Sequence, residues 1–370
     1  MEVGKEFAGF VLPFAAGTAF AAYSGAGCIK AACICASLSS AAAAVCASVL
    51  LYMVCSRKIS SGTMGMIVSA GLCCGLMCGY SGEILTVSCP HEDGSFFSIH
   101  FGQRMKILAD SLQFDGRQTN ALIKALVTGD RSDIPPSVSR TFRDSGASHI
   151  LALSGLHLGM IYGITAKTMS VAGNSRPAII LRAIVTTATC GFYTLATGAS
   201  PSITRAFIFI AMAETARLTS RNRNLGTVLT GALLLHLVLS PVSVKSAGFQ
   251  LSYAAMAGIA WIYPSLKGFW PADSKGRFRF AIMHRIWDTA AMSISCQATA
   301  GAVAWMYFGT FPRRFLITNL IALPLSSLLI PSALLAIVLE GIGTCPEPLC
   351  RITGALADML VRSLETICEM

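Results

Sequence analysis

Residues 316–343 read LITNLIALPLSSLLIPSALLAIVLEGIG, a run in which Glu340 is the one charged side chain. An α-helix rises about 1.5 Å per residue, so this stretch exceeds the roughly 30 Å of a bilayer's hydrocarbon core. Pro324 and Pro331 each remove a backbone hydrogen bond, which predicts a bend or a break in the helix. Irregular backbone at membrane depth is tolerated where it lines a cavity or is buried in protein. Asn319, Pro324, Ser326 and Ser327 are therefore candidate positions on a polar path, a simple kink being the bland alternative.

Working outward, similar apolar runs cover residues 7–25, 31–55, 62–80, 148–166, 178–197, 202–219, 225–240, 248–264 and 288–309. The whole chain of 370 residues is 54% hydrophobic and 12% charged, with a mean hydropathy of +0.64. Soluble domains carry about 25% charged residues, so an ordinary soluble globular protein is excluded. In lipid only helices and closed barrels satisfy their own backbone. The alternating pattern of a barrel is missing, and the reading is an all-α, polytopic transmembrane bundle of about ten spanning helices with short interfacial helices. The first run, with Lys5 ahead of it, has the pattern of a signal peptide as well. Ala21-Ala22-Tyr23-Ser24 is a poor cleavage site and two more runs follow closely, so the run is read as a retained helix.

Basic residues set the orientation. With the N-terminus inside and residues 81–147 set aside, the short outer connections hold Lys30, Lys245, Arg313 and Arg314, against sixteen Lys and Arg on the other side. Both termini are therefore expected in the cytoplasm of a multi-pass protein of the cytoplasmic (inner) membrane, with 81–147 outside. Arg313 and Arg314 are the discordant pair. The same bias accounts for most of the net charge of +10, leaving the basic 265–287 cluster as a cytoplasmic mouth for an anionic partner on the less bland reading. The 14 cysteines lie largely in apolar runs, where thiols behave as small hydrophobes, and none falls in a metal-ligand spacing. No metal and no cofactor are implied.

The chain divides into N-terminal transmembrane helices (1–80), extracytoplasmic interfacial helices (81–147), a transmembrane core (148–345) and a short C-terminal cytoplasmic segment (346–370). In 81–147, Met105, Leu108 and Leu112, then Leu122 with Leu126, and Val138 with Phe142, form narrow apolar stripes. Thr119 and Gly129 are expected to cap the middle helix, and Pro135 and Pro136 to begin the next. The segment reads as a tether on the bilayer or as a collar over an opening.

In Ala152-Leu153-Ser154-Gly155-Leu156-His157-Leu158-Gly159, the glycines Gly155, Gly159 and Gly163 recur at spacings of four, a small-residue stripe suited to close helix packing. Gly71, Gly75 and Gly79 form a second stripe. On one continuous helix Ser154 and His157 fall opposite the first stripe, facing a cavity or another polar helix, with a histidine satisfied by a backbone carbonyl as the bland reading. Arg205, Glu214, His236, Asp288, Gln297 and Asn319 are further polar residues within apolar runs and are expected to converge on the bundle interior.

Four segments carry a resemblance. They are Ala125-Leu126-Val127-Thr128-Gly129-Asp130-Arg131; Ser145-Gly146-Ala147-Ser148-His149-Ile150-Leu151, which runs on through Gly159; Gly198-Ala199-Ser200-Pro201-Ser202-Ile203-Thr204-Arg205-Ala206; and Gly248-Phe249-Gln250-Leu251-Ser252. In order and spacing they resemble the ComEC competence proteins over roughly residues 118–345. The resemblance implies an inner-membrane channel through which single-stranded DNA enters the cytoplasm during natural transformation. It also implies an extracytoplasmic DNA receptor and a cytoplasmic helicase-like motor as partners. Many members of that family carry an OB-like outer domain and a C-terminal metallo-β-lactamase-like domain. Here 81–117 is too short for the first, and no HxHxDH run represents the second, His91-Glu92-Asp93 being no substitute. Strand degradation is then left to a separate nuclease, and the chain is expected not to be an enzyme.

A polyanion crossing low dielectric needs a hydrated, polar-lined route with modest contacts. Ser154, His157, Arg205, Gln250, Ser252 and Asn319 are the expected lining. The glycine stripes serve helix packing, within one chain or across a homodimer surrounded by membrane lipid. Three rivals stay open: a transporter of a smaller anionic solute, a truncated scaffold-like relative lacking DNA-handling domains, and an intramembrane serine hydrolase using Ser154 and His157, for which no GxSxG-type elbow is present.

Overall fold

The computed structural model describes residues 11–20, 71, 75, 96–112, 114, 116–218, 225–269, 278–309 and 314–369. Among them every regular element is helical and no strand occurs. The helices are α1 (Val11–Phe20), α2 (Phe96–Ser111), α3 (Arg117–Thr128), α4 (Pro136–Asp144), α5 (Ser148–Leu151), α6 (Gly155–Met169), α7 (Arg176–Ala196), α8 (Pro201–Leu218), α9 (Leu225–Leu239), α10 (Ala247–Ala257), α11 (Tyr263–Lys267), α12 (Phe278–Phe308), α13 (Phe315–Gly341) and α14 (Glu347–Glu369). A π-helical turn, Gly258–Ile262, joins α10 to α11. The apolar runs from 178 onward map onto α7 to α10, α12 and α13. The run 148–166 is instead divided by an extended break ahead of Gly155. The runs 31–55 and 62–80 lie outside the described residues except for Gly71 and Gly75. By length and composition, α7 and α13 are the two described helices able to cross a membrane, against the ten spans expected from the apolar runs.

The chain forms two compact units, Met1–Asp93 with Ile208–Trp261, and Gly94–Phe207 with Ile262–Met370. In the first, a side chain at Gly75 would collide with the Phe14 carbonyl, so the backbones touch there. The ring of His236 packs edge-on against Phe249 at 5.0 Å, and the Tyr253 hydroxyl donates to the Ala232 carbonyl at 3.1 Å, tying α10 to α9.

The second unit is organised around a helical hairpin. α13 runs out, the turn is closed by the Thr344 N–H on the Leu339 carbonyl at 2.9 Å, and α14 returns beside it until the Arg314 guanidinium donates to the Cys368 carbonyl at 2.8 Å. A cation on the last carbonyls of a helix offsets its negative dipole end, which gives Arg314 a structural reason to sit where the charge bias disfavours it. α13 is one continuous helix with Pro324 and Pro331 inside it; the break expected at the prolines does not occur. The Ser327 hydroxyl donates to the Pro324 carbonyl at 2.7 Å.

The segment expected to lie on the bilayer packs into protein. α3 and α4 put Leu122, Ile123, Leu126, Val138 and Phe142 into one apolar core with Leu329, Ala333 and Ile337 of α13 and Leu360 and Leu364 of α14. The stripes read from the sequence are covered by the hairpin, which supplies a complementary apolar surface. Gly129 ends α3 at a φ of 81°, and a side chain there would meet Leu153. Thr119 does not cap α3, whose N-cap is Gly116; its hydroxyl donates to Asp358 of α14 at 2.6 Å. Pro136 opens α4 as expected.

Most of the segment read from the sequence as short, Glu347–Glu369, forms the long helix α14. Its C-terminal end lies beside Arg314 and, through the Cys368 thiol on the Thr141 carbonyl at 3.5 Å, beside α4. Residues 141 and 368 therefore share one end of the unit, whereas the charge count placed 81–147 and the C-terminal segment on opposite sides. The hairpin brings the chain back to the end where it began.

Candidate functional site

The expected lining residues divide between the two units. Ser154, His157, Arg205 and Asn319 belong to the larger, Gln250 and Ser252 to the smaller. Ser154 is not on a helix face: with φ −122° and ψ 169° it is the extended N-cap of α6. Its N–H donates to Nδ1 of His157 at 3.2 Å, and its hydroxyl lies 3.1 Å from the same nitrogen. The His157 N–H donates back to the Ser154 carbonyl at 3.1 Å. This is a capping box with histidine in the third position. The imidazole is fully buried, and its Nε2 has no partner among the described residues. Asn319 is buried on α13 and donates through Nδ2 to the Ser293 hydroxyl of α12 at 3.3 Å. One residue earlier, the buried Thr318 hydroxyl donates to the Ser145 carbonyl at 2.7 Å. Arg205 is buried near the start of α8. The Gln250 amide donates to the Val244 carbonyl at 3.0 Å, holding the turn before α10, and Ser252 is half-buried.

The first glycine stripe is also placed differently from its expected role. Gly155, Gly159 and Gly163 are exposed. A Cβ at Gly155 would lie 3.3 Å from that of Ala206, while among the described residues nothing comes within 4 Å of one at Gly159 or Gly163. Gly71 and Gly75 are buried, and Gly79 lies outside the described residues.

What the structure adds is a contrast along the hairpin. α13 exposes Ile321, Leu328, Leu335 and Val338, spaced at threes and sevens, and α7 exposes Ile180, Ile184, Phe192 and Leu195. Apolar stripes of this length suit lipid and not water. α14 buries Thr353, Ala357, Leu360, Leu364 and Ile367 and turns Arg351, Arg362, Glu365 and Thr366 outward. A cleft of about 430 Å³ follows that side, lined by Ala355, Asp358, Met359, Arg362, Ser363 and Thr366. Sequence reasoning missed this face. The signal was there, since Ala357, Leu360, Leu364 and Ile367 keep helical spacing, but attention to continuous apolar runs passed over an amphipathic one.

Outside the hairpin, α2 and α3 carry an ion-pair network. Lys124 bridges Asp110 at 2.8 Å and Asp133 at 2.9 Å, and Lys106 reaches Asp130 at 2.9 Å. The Lys106 ammonium and the Ser132 hydroxyl hold the Asp130 carboxyl well below the usual carboxylate range. The bonds to Asp110 and Asp133 push the Lys124 ammonium up. No group of three or more metal-ligating side chains occurs among the described residues.

A family model described as competence protein matches residues 126–370. ComE operon protein 3 of Bacillus subtilis is 28% identical over 138 residues, 37% of this chain and 17% of that protein. Competence protein ComA of Neisseria gonorrhoeae is 30% identical over 146 residues, 38% of this chain and 21% of that protein. The uncharacterized protein YcaI of Escherichia coli is 27% identical over 148 residues, 39% and 20% of the two chains. The aligned part spans about a fifth of these relatives' length, and no solved structure matches. The match takes in the last three residues of α3 and runs through α14, so that α4, the hairpin and the capped histidine fall inside it, and the chain belongs to the competence protein family.

Proposed function

We propose that the chain passes single-stranded DNA across the cytoplasmic membrane during natural transformation. The observation that carries this reading is the pairing, within one hairpin, of an apolar outward face on α13 with a mixed outward face on α14, where Arg351, Arg362, Glu365 and Glu369 stand beside Ile352 and Met359. At about 1.5 Å per residue α14 is roughly 35 Å long, comparable to the hydrocarbon core. A charged stripe of that length beside a lipid-facing helix needs water, because charged side chains at membrane depth pair with one another or face a hydrated cavity. A hydrated wall with mixed charge suits a strand that must move: its phosphates meet polar groups without a continuous cationic surface to hold them. Ser154, His157, Gln250 and Asn319, four of the six residues expected to line the path, make hydrogen bonds within the fold, and the outward side of α14 is added to that lining.

In this reading the chain is a conduit without a catalytic step. A DNA receptor on the outside delivers the strand, a helicase-like motor in the cytoplasm supplies the work, and a separate nuclease removes the complementary strand. Deleting the gene in a transformable host is expected to leave surface binding of labelled DNA intact and to abolish labelled strand in the cytoplasm. Unchanged internalisation would remove the assignment.

A further inference from the structure

Lys106 and Lys124 are engaged internally, whereas Arg131, Arg140 and Arg143 are not. Lys124 is held between Asp110 and Asp133, and Lys106 on Asp130. Arg131, Arg140 and Arg143 are exposed, with no acidic partner among the described residues. Arg140 and Arg143 lie three apart on the outer side of α4, whose inner side, Val138 and Phe142, is locked in the core; Arg131 sits on the turn leading into it. Asp144 is the one carboxylate of this stretch left without a bridging cation among the described residues.

Three free guanidinium groups on a rigid helix and turn suit a phosphate-bearing polyanion, since the planar fork matches phosphate oxygens two at a time. An anionic bilayer surface is the other carrier of phosphate. A helix that binds it inserts apolar residues beside its cations. Among the described residues no large apolar side chain is exposed between Ile107 and Ile164, and the chain neighbours of the arginines are Asp130, Ser132, Ser139, Thr141, Asp144 and the buried Phe142. We propose that Arg131, Arg140 and Arg143 form a docking surface for the phosphodiester backbone of a single DNA strand. This rests on the strand-passage reading above and places the strand's first contact on the collar.

The test uses the full chain in nanodiscs of phosphatidylcholine and a fluorescein-labelled thymidine 20-mer read by anisotropy. Each phosphate contact on a single strand contributes about 0.7 to the slope of log affinity against log salt, so three contacts contribute about 2. The wild type is expected to bind more tightly than the Arg131→Ala/Arg140→Ala/Arg143→Ala variant. That advantage is expected to shrink roughly 20-fold between 50 and 200 mM salt. The corresponding triple Lys variant, which keeps the charge, is expected to keep most of the slope, and equal melting midpoints show that the fold is retained. Equal affinities and slopes for wild type and Ala variant would overturn the proposal. So would phosphatidylglycerol co-purifying with the wild type and lost from the Ala variant while oligonucleotide binding stays equal. Lost binding in the variant alongside normal DNA entry in the deletion strain would instead keep the surface and remove the channel reading.

Discussion

α3 and α6 are twelve and fifteen residues long and opposite in burial. α3 contains Arg117, Gln118, Asn120 and Lys124, yet Leu122, Ile123, Ala125, Leu126 and Val127 are all at most 1% exposed. α6 carries Lys167 as its one Lys, Arg, Asp or Glu, yet among its residues His157 and Leu158 alone are buried. In a water-soluble protein α3 would be placed the same way, but a helix as apolar as α6 would be buried. Where the surrounding solvent is hydrocarbon, a helix apolar on all sides is content at the periphery, and a helix with one apolar side must find protein to cover it. Amphipathic helices such as α3 and α14 pack with α13 in the core of the larger unit, while the apolar α6 lies mostly exposed.

The sharpest way to break that comparison is a matched pair of truncations. Leu126→Ala empties space in a closed core and is expected to lower the stability of the purified chain by about 2 to 5 kcal/mol. Ile164→Ala, at a position 50% exposed, is expected to change it by less than about 0.5 kcal/mol. Melting midpoints in one detergent compare the two, and equal losses would contradict the assignment of α3 to the core. Next in size, Thr318→Val leaves the buried Ser145 carbonyl without its donor and is expected to cost about 1 to 3 kcal/mol in the same assay. Ser154→Ala removes a helix cap and is expected to cost about 1 kcal/mol. An active-site serine probe is expected to leave both wild type and this variant unlabelled.

The smallest effect is a pH dependence confined to the collar. Asp130 binds its proton more weakly in the folded chain than in the unfolded one, so its contribution is complete above the unfolded value of about 4 and is lost as pH falls through the folded value. Acid titration from pH 5 downward is expected to destabilise the wild type more steeply than Asp130→Asn. The effect is small because Lys106 and Asp130 both retain contact with solvent. Parallel acid limbs for the two proteins would show that the pair contributes nothing.

Helix positions from residue 178 onward were legible because continuous apolar runs fix where a chain can sit in lipid. Gly129 and Pro136 were legible because backbone chemistry restricts what those positions can be. The role of Ser154 was not: a helical wheel assumes an unbroken helix, and the extended break before Gly155 takes Ser154 off the wheel and converts its pairing with His157 from a lining feature into a cap. Arg314, discordant in the charge count, was not legible either. Counting cations assumes that each is free to choose a side, whereas Arg314 is fixed by the carbonyl of Cys368. The face of α14 went unread because a charged amphipathic helix resembles a soluble tail until the helix beside it is known to be apolar outward.

Single cysteines placed on the two sides of the hairpin, in a background freed of reactive native thiols and labelled in intact membranes with a water-soluble maleimide, test this contrast directly. Label at Arg362→Cys and Thr366→Cys with none at Leu328→Cys and Leu335→Cys is the predicted result. Equal labelling of all four, or protection of all four, would contradict a hydrated wall held beside lipid.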